Sequence, residues 1–386
     1  MRQIQIYNLA DGSVRRNYVN SLFNQKQHNC SFCIFGQERI SAQNHFTDIC
    51  NLLYPSALIK NKKNKDDVST RSHAVADHPI YNFIHNYYQF SPLELRTYSP
   101  GLHYNLEGVQ SNDFHLIHKF LWPKDYKPNP TDLQSTYVTS PVLTSTATSS
   151  TSGPYTLSLP QPGNCLPVKR YGIKSVQRSR DILLASSDRA PHYGCFGLHE
   201  WAMLYSGDSV SGIISDKRSV HQAQLSLRVS QRVIDDTVEK SGLSCTHFDA
   251  WRFFQPAAQP LNSNNPMSRS SQIEFEQPGC IHATMDLFKY AFQLYPFIPA
   301  DLLRRCLTVA LEARRVDMRA SPYDVSHLPG CASPLCIETV EGKLEYMSEQ
   351  RRLLEMAQPL RQDLINAYTA YLSYLSVSST TRSIDS

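Results

Sequence analysis

No stretch of this sequence reaches the ~18 consecutive apolar residues that a membrane-spanning helix requires, so no membrane partner is expected. The opening residues, MRQIQIYNLADGS, lack the basic region and unbroken apolar run of a secretory signal. Cysteine is present, but its ten residues are scattered over 386 positions, which excludes the dense disulfide framework of a small secreted domain. Together these absences lead us to expect a soluble intracellular protein, in cytoplasm or nucleus, with reduced thiols. Charge of one sign is also scarce. A formal net charge of +4 and an isoelectric point near 8.4 are too slight to single out a nucleic-acid partner or to exclude one. The zincin pattern H-E-x-x-H is missing as well: His199 and Glu200 are followed by Met203 where the second histidine would stand. Nothing in the sequence sets an oligomeric state.

Against these absences stands a composition that folds. Hydrophobic residues make up 41% of the chain, with 16 Phe, 21 Tyr and 3 Trp, more aromatic content than a disordered chain carries. We therefore expect a mainly α protein: a single helical globular domain with a few short strands and a disordered Ser/Thr/Pro-rich insertion. Residues 1–75 read as a divergent peripheral segment, because they are uneven and contain the charged run KNKKNKDD. Residues 76–127 form a helical first part of the main domain. Residues 128–165 are the flexible insertion, too rich in Ser, Thr and Pro to recover their ordering entropy by burial. Residues 166–376 carry the site, and 377–386 form a disordered tail.

Several helices are legible from spacing. Ile80, Phe83, Ile84 and Tyr87 recur at helical intervals before the Ser91-Pro92 turn. Later segments with the same signal are Cys195 to Tyr205, Ile281 to Leu294, Ala300 to Arg319, and a carboxy-terminal pair over Gly342 to Leu375 divided near Pro359. In the third, Leu303, Cys306, Leu307, Ala310, Ala313 and Val316 supply a core stripe.

The chemistry-bearing residues are concentrated in four strings: HYGCFGLHEWAM from His192, CTHFDAWRFF from Cys245, EQPGCIHATMDLFKYA from Glu276 and DMRASPYDV from Asp317. In the first, a helix would set Cys195 and His199 one turn apart with Glu200 beside them. In the second, an extended segment would turn His247 and Asp249 the same way, as a pair for proton transfer or as a structural contact. In the third, His282, Asp286 and Lys289 share one helical face, either as a site or as a solvated charge stripe. The fourth reads as a lid or pocket wall, or simply as a helix end with a turn. Two single pairs, Cys30 with Cys33 and Cys331 with Cys336, are weak metal signals without a second pair.

If they converge, His199, His247 and His282 could hold a divalent metal, the only cofactor the sequence suggests, with Glu200, Asp249 or Asp286 as base for a bound water.

The four strings, with HPIYNFIHNYYQFSPLELRTYSPG upstream, resemble a family of uncharacterised bacterial proteins commonly labelled 3-methyladenine DNA glycosylase. The likeness runs from about residue 78 to 375, omitting the insertion. It implies a hydrolase that cleaves the N-glycosidic bond of an alkylated purine in DNA. That chemistry needs a carboxylate, here Asp286, Asp249 or Glu200, and an aromatic slot for the base, here Trp251 or Phe254. Arg252, Lys289 and Tyr323 complete the expected substrate contacts. Two alternatives stand beside it: a metal-dependent enzyme acting on a small molecule through a His/acid pocket, and a non-catalytic binding protein.

Overall fold

The computed structural model describes residues 31–53, 78–90, 92–102, 104–109, 111–118, 155–158, 166–207, 225–328, 331 and 333–382. They are mainly helical, with one small sheet. Strand β1 (Ser31–Ile34) leads into helix α1 (Phe35–Leu53). Helix α2 (Pro79–Tyr88) begins where the sequence provides both a cap and a start: the ring of His78 accepts a hydrogen bond from Ile80 N at 3.3 Å, and Pro79 occupies the first turn. Helix α3 (Pro92–Arg96) follows, then strands β2 (Tyr104–Val109) and β3 (Tyr155–Ser158). β1 pairs with β2 in parallel and β2 with β3 antiparallel. A minor core of Ala42, Phe46, Leu106, Val109, Phe114, Leu116 and Ile117 lies between α1 and β2.

The larger core takes Ile49 and Leu53 from α1, Ile80, Tyr81 and Ile84 from α2, and most of its other residues from later elements. After α4 (Leu166–Tyr171) these are α5 (Ile173–Ser187), the single turn α6 (His199–Ala202), α7 (Gln231–Ser241), the short turns α8 (Phe248–Trp251) and α9 (Gln272–Phe275), and three long helices. These are α10 (Ile281–Leu294), α11 (Ala300–Ala320) and α12 (Val340–Arg382). α11 is the hub: α10 and α12 pack on it, and so do α1 and α2. All six residues of the expected α11 stripe are buried. In α10 every residue except His282 and Lys289 is buried, the pattern of a helix enclosed on all sides.

Three expectations change. The segment expected to be peripheral contains α1, whose Ile49 and Leu53 are fully buried in the main core; the polar His45 on its buried face interrupts the stripe. Of the expected insertion, only residues 155–158 are described, and they form β3 at the sheet edge. The rest of it, residues 1–30 and Cys30 among them lie outside the described residues. The carboxy-terminal pair is one helix that passes through Pro359 and continues to Arg382, into the expected tail. Leu353, Ala357, Leu360, Leu364, Tyr368 and Tyr371 keep one buried face across the proline, and that continuous packing outweighs the one lost backbone hydrogen bond. Finally, Cys195 to Tyr205 is not one helix. Phe196 and Gly197 both adopt positive φ, 45° and 68°, and only His199–Ala202 is helical. A Cβ at Gly197 would lie 3.1 Å from the ring of Tyr346, so this turn needs glycine for close approach as well as for φ.

Candidate functional site

The four strings arrive at one place because polar braces hold them there. Gln277 accepts hydrogen bonds from Gly279 N and His192 N at 2.7 and 2.8 Å, lacing the turn that starts α10 to the segment before His199. Asn262 clamps Cys245, accepting from its N–H at 2.7 Å and donating to its carbonyl at 3.1 Å. Trp201 Nε1 donates to Ala320 O at 2.8 Å, which ties α6 to the end of α11. His199, His247 and His282 are thereby brought together: the rings of His199 and His282 are 4.2 Å apart and edge to face, and those of His247 and His282 are 5.4 Å apart and stacked.

Around His199 and His282 the third group is Asp317, on the last turn of α11. One ligand-type atom from each of the three lies within 4.8 Å of the others. His199 Nε2 stands 3.2 Å from Asp317 Oδ1, yet neither atom makes a hydrogen bond. A tetrahedral ion with bonds of 2.0–2.1 Å would separate its ligands by about 3.3 Å, so the spacing suits two ligands of one ion as well as a direct imidazole–carboxylate contact. Beneath them Arg314 donates to Glu200 Oε1 at 2.9 Å and also to Asp317 Oδ2. Burial alone would raise the carboxyl of Asp317, but His199 and Arg314 outweigh it and hold it well below the usual carboxylate range. Burial, reinforced by His199, pushes His282 well below the ordinary imidazole value. His282 is therefore neutral, the form that binds a metal. Cys195, Cys245, Thr246 and Cys280 join His199 and His282 around a cavity with about 20 Å³ of free space, room for one water or one ion.

A second cluster adjoins the first through His247. Its Nε2 lies 3.4 Å from Asp286 Oδ2 and 3.6 Å from Glu276 Oε2. Lys289 Nζ donates to Asp286 Oδ2 at 2.8 Å and reaches Asp249 Oδ2 at 3.5 Å, and Tyr88 donates to Asp286 Oδ1 at 3.3 Å. Burial opposes charge on Asp286, but Lys289 and His247 hold it ionised, well below the usual range. Burial likewise opposes the His247 imidazolium, and Asp286 with Glu276 outweighs it and raises the value. The alternative of a solvated charge stripe on α10 is overturned: Asp286 is 1% exposed.

The expected substrate contacts are divided. Arg252 and Arg269 both bind Asp249 Oδ1, at 3.1 and 2.8 Å, and Lys289 is half-buried at the same carboxylate. Phe254 is buried but lines the cavity. Trp251 is partly buried against the core. Tyr323 is fully buried in the core and lines no part of the cavity. His247 and Asp249 do not face the same way, since His247 is the extended residue before α8 and Asp249 sits in its first turn. Cys331 and Cys336 are free thiols.

Sequence reasoning missed Asp317 as a ligand, and missed Glu276 and Arg314 altogether. A signal existed. Ala310, Ala313, Arg314 and Asp317 follow the helical interval of the buried stripe, so a cation and an anion fall on the core face, where each must find a partner.

Comparison of the chain with protein-family models, with curated proteins and with solved structures returned no match in any of the three.

Proposed function

We propose that the chain is a metal-dependent hydrolase acting on a small molecule. The observation that carries this reading is the trio His199, His282 and Asp317: two imidazoles, one of them held neutral, and one ionised carboxylate, set at ligand spacing beside a cavity the size of one ion. Two histidines and a carboxylate are the donor set of open catalytic sites, which leave a position for water or substrate. A divalent ion there would lower the pKa of a bound water and polarise the bond under attack. Glu200 and Arg314 keep the ligands in place, as outer partners of metal ligands commonly do. His247 stacks on His282 and lies against Asp286, so it is the nearest group able to pass a proton from the site towards Lys289 and solvent.

Cleavage of an alkylated purine from DNA, which the sequence resemblance implies, is the second reading. It draws support from the ionised Asp286, suited to balance a developing oxocarbenium charge, and from the exposed cations Arg252 and Arg269, which pair with Asp249. The trio of ligand-type atoms favours the first reading. Assay of chelator-stripped protein on ester, amide and phosphoester substrates, with Zn²⁺, Mn²⁺ or Fe²⁺ restored in turn, separates them. Turnover that appears only with metal supports the first; release of base from alkylated DNA, undiminished by chelator, supports the second and contradicts the first.

A further inference from the structure

Arg252 and Arg269 meet on one oxygen atom. Arg252 Nε lies 3.1 Å and Arg269 Nη2 2.8 Å from Asp249 Oδ1; the carboxylate is 4% exposed, the two arginine side chains 42% and 57%. Each guanidinium rests on an aromatic ring, Arg252 over Phe253 at 4.3 Å and Arg269 over Phe248 at 5.3 Å. Separate elements bring them together. Arg252 closes α8, Arg269 lies in the loop before α9, and Arg178 on α5 steadies that loop by donating to the Arg269 carbonyl. A buried carboxylate and two rings thus hold both forks in place, so that a ligand meeting them costs little further side-chain freedom. The charges do not balance. Lys289 reaches Asp249 at 3.5 Å but sits closer to Asp286, at 2.8 Å. With Lys289 answered by Asp286, one carboxylate faces two guanidiniums. Arg178 spends its Nη2 on a backbone carbonyl, which takes none of its charge. Each arginine of the pair spends one nitrogen on Asp249 and keeps the rest of its donors for a ligand.

We propose that Arg252 and Arg269 clamp the dianionic phosphate of a small phosphate monoester. Two guanidinium forks match the oxygens of a tetrahedral phosphate, and a carboxylate or a phosphodiester, each with a single negative charge, answers less of the positive surplus. The clamp stands at the solvent end of a line of side chains that leads out from the trio: His282 to His247, His247 to Asp286, and Lys289 between Asp286 and Asp249. Phosphate binding itself stands on the arginine pair. Its assignment to the substrate rests on the hydrolase reading above, and makes that substrate a phosphorylated small molecule.

The test is titration calorimetry of the full chain in chelator at pH ~8, where a phosphate monoester is dianionic. Chloride holds the ionic strength constant, and methyl phosphate, dimethyl phosphate, acetate or a duplex oligodeoxynucleotide is the titrant. Methyl phosphate is expected to bind once per chain, with dimethyl phosphate and acetate weaker by about ten-fold or more. Arg252→Gln and Arg269→Gln should each weaken methyl phosphate by about ten-fold or more. Both should melt close to the parent, because Asp249 keeps its other partners and the lost side chain is largely exposed. No binding of methyl phosphate, equal affinity for its dimethyl ester, or undiminished binding by either variant overturns the proposal. So does an oligodeoxynucleotide that binds more tightly than methyl phosphate and is lost in both variants, the mark of a nucleic-acid surface. Metal is absent throughout, so a chain that takes up no ion still tests the clamp, and a failed clamp leaves ion uptake to its own titration.

Discussion

Asp286 and Lys289 stand one turn apart on α10, yet the chemistry asks different things of them. Asp286 faces His247 and receives Tyr88 and Lys289; Lys289 reaches solvent and divides itself between Asp286 and Asp249. Proton transfer through His247 needs the carboxylate to hold and charge the imidazole, whereas Lys289 only favours the ionised form of that carboxylate. Asp286→Asn should therefore lower turnover by about 10²–10⁴-fold, and Lys289→Met by much less, with kcat rather than KM carrying the loss. Steady-state kinetics on the same substrate decides it; a Lys289→Met variant as impaired as Asp286→Asn would move the essential charge to the lysine. At this scale the sequence was informative where motifs are dense. His199, Glu200 and His282 fall in one cluster, and His247 and Asp286 in the adjoining one, which Asp249 reaches through Lys289. Asp317 escaped because its string reads equally well as a helix end, and its role depends on which face of α11 meets α6, a fact of packing rather than of local pattern.

Helices reveal how far periodicity carries. α10 and α11 were legible to within a residue, because each has a long apolar stripe and a turn signal before it. α5 was not. Its buried face, Val176, Ser179, Ile182, Leu183 and Ser186, interposes serines whose hydroxyls are absorbed by backbone carbonyls at 3.1 Å, so the stripe does not read as apolar. α1 hides its docking in the same way: buried His45 uses Nε2 to bond Leu95 O at 2.8 Å, fixing α1 against α3. Burial, set against this backbone bond, lowers the His45 pKa to about 4. The unfolded residue takes up a proton below pH ~6.5, the folded one only below about 4. The contribution of neutral His45 is thus complete above pH ~6.5 and is lost as pH falls towards 4, amounting to about 3 kcal/mol across the window. His45→Gln keeps a donor for Leu95 and should flatten the stability profile between pH 7 and 5, read by denaturant melts; a profile as steep as the parent's would remove His45 as the source.

For the whole molecule, α11 is the feature on which everything else converges. It carries the core stripe, bears Arg314 and Asp317 on that same face, and receives α10 with His282, α6 with His199, and α12. Length and composition announced a chain with a large core, since one this rich in Phe and Tyr must bury them, and the helical spacing of its apolar residues announced the fold class. Which residues share the buried polar centre was not announced, because three of its strings are joined by braces such as Gln277 and Asn262 whose partners lie 17 to 85 positions away. A buried polar centre of two imidazoles, two carboxylates and a guanidinium persists only if its charges are matched; with neutral imidazoles it carries one net negative charge, which a bound cation would offset. The direct test is equilibrium titration of chelator-stripped, full-length protein with Zn²⁺, Mn²⁺ and Fe²⁺, followed by elemental analysis after gel filtration. One ion per chain is predicted for the parent. His282→Ala and Asp317→Asn should retain none while keeping the parent's far-ultraviolet circular dichroism. A parent that takes up no ion, or variants that keep the full complement, would contradict the account.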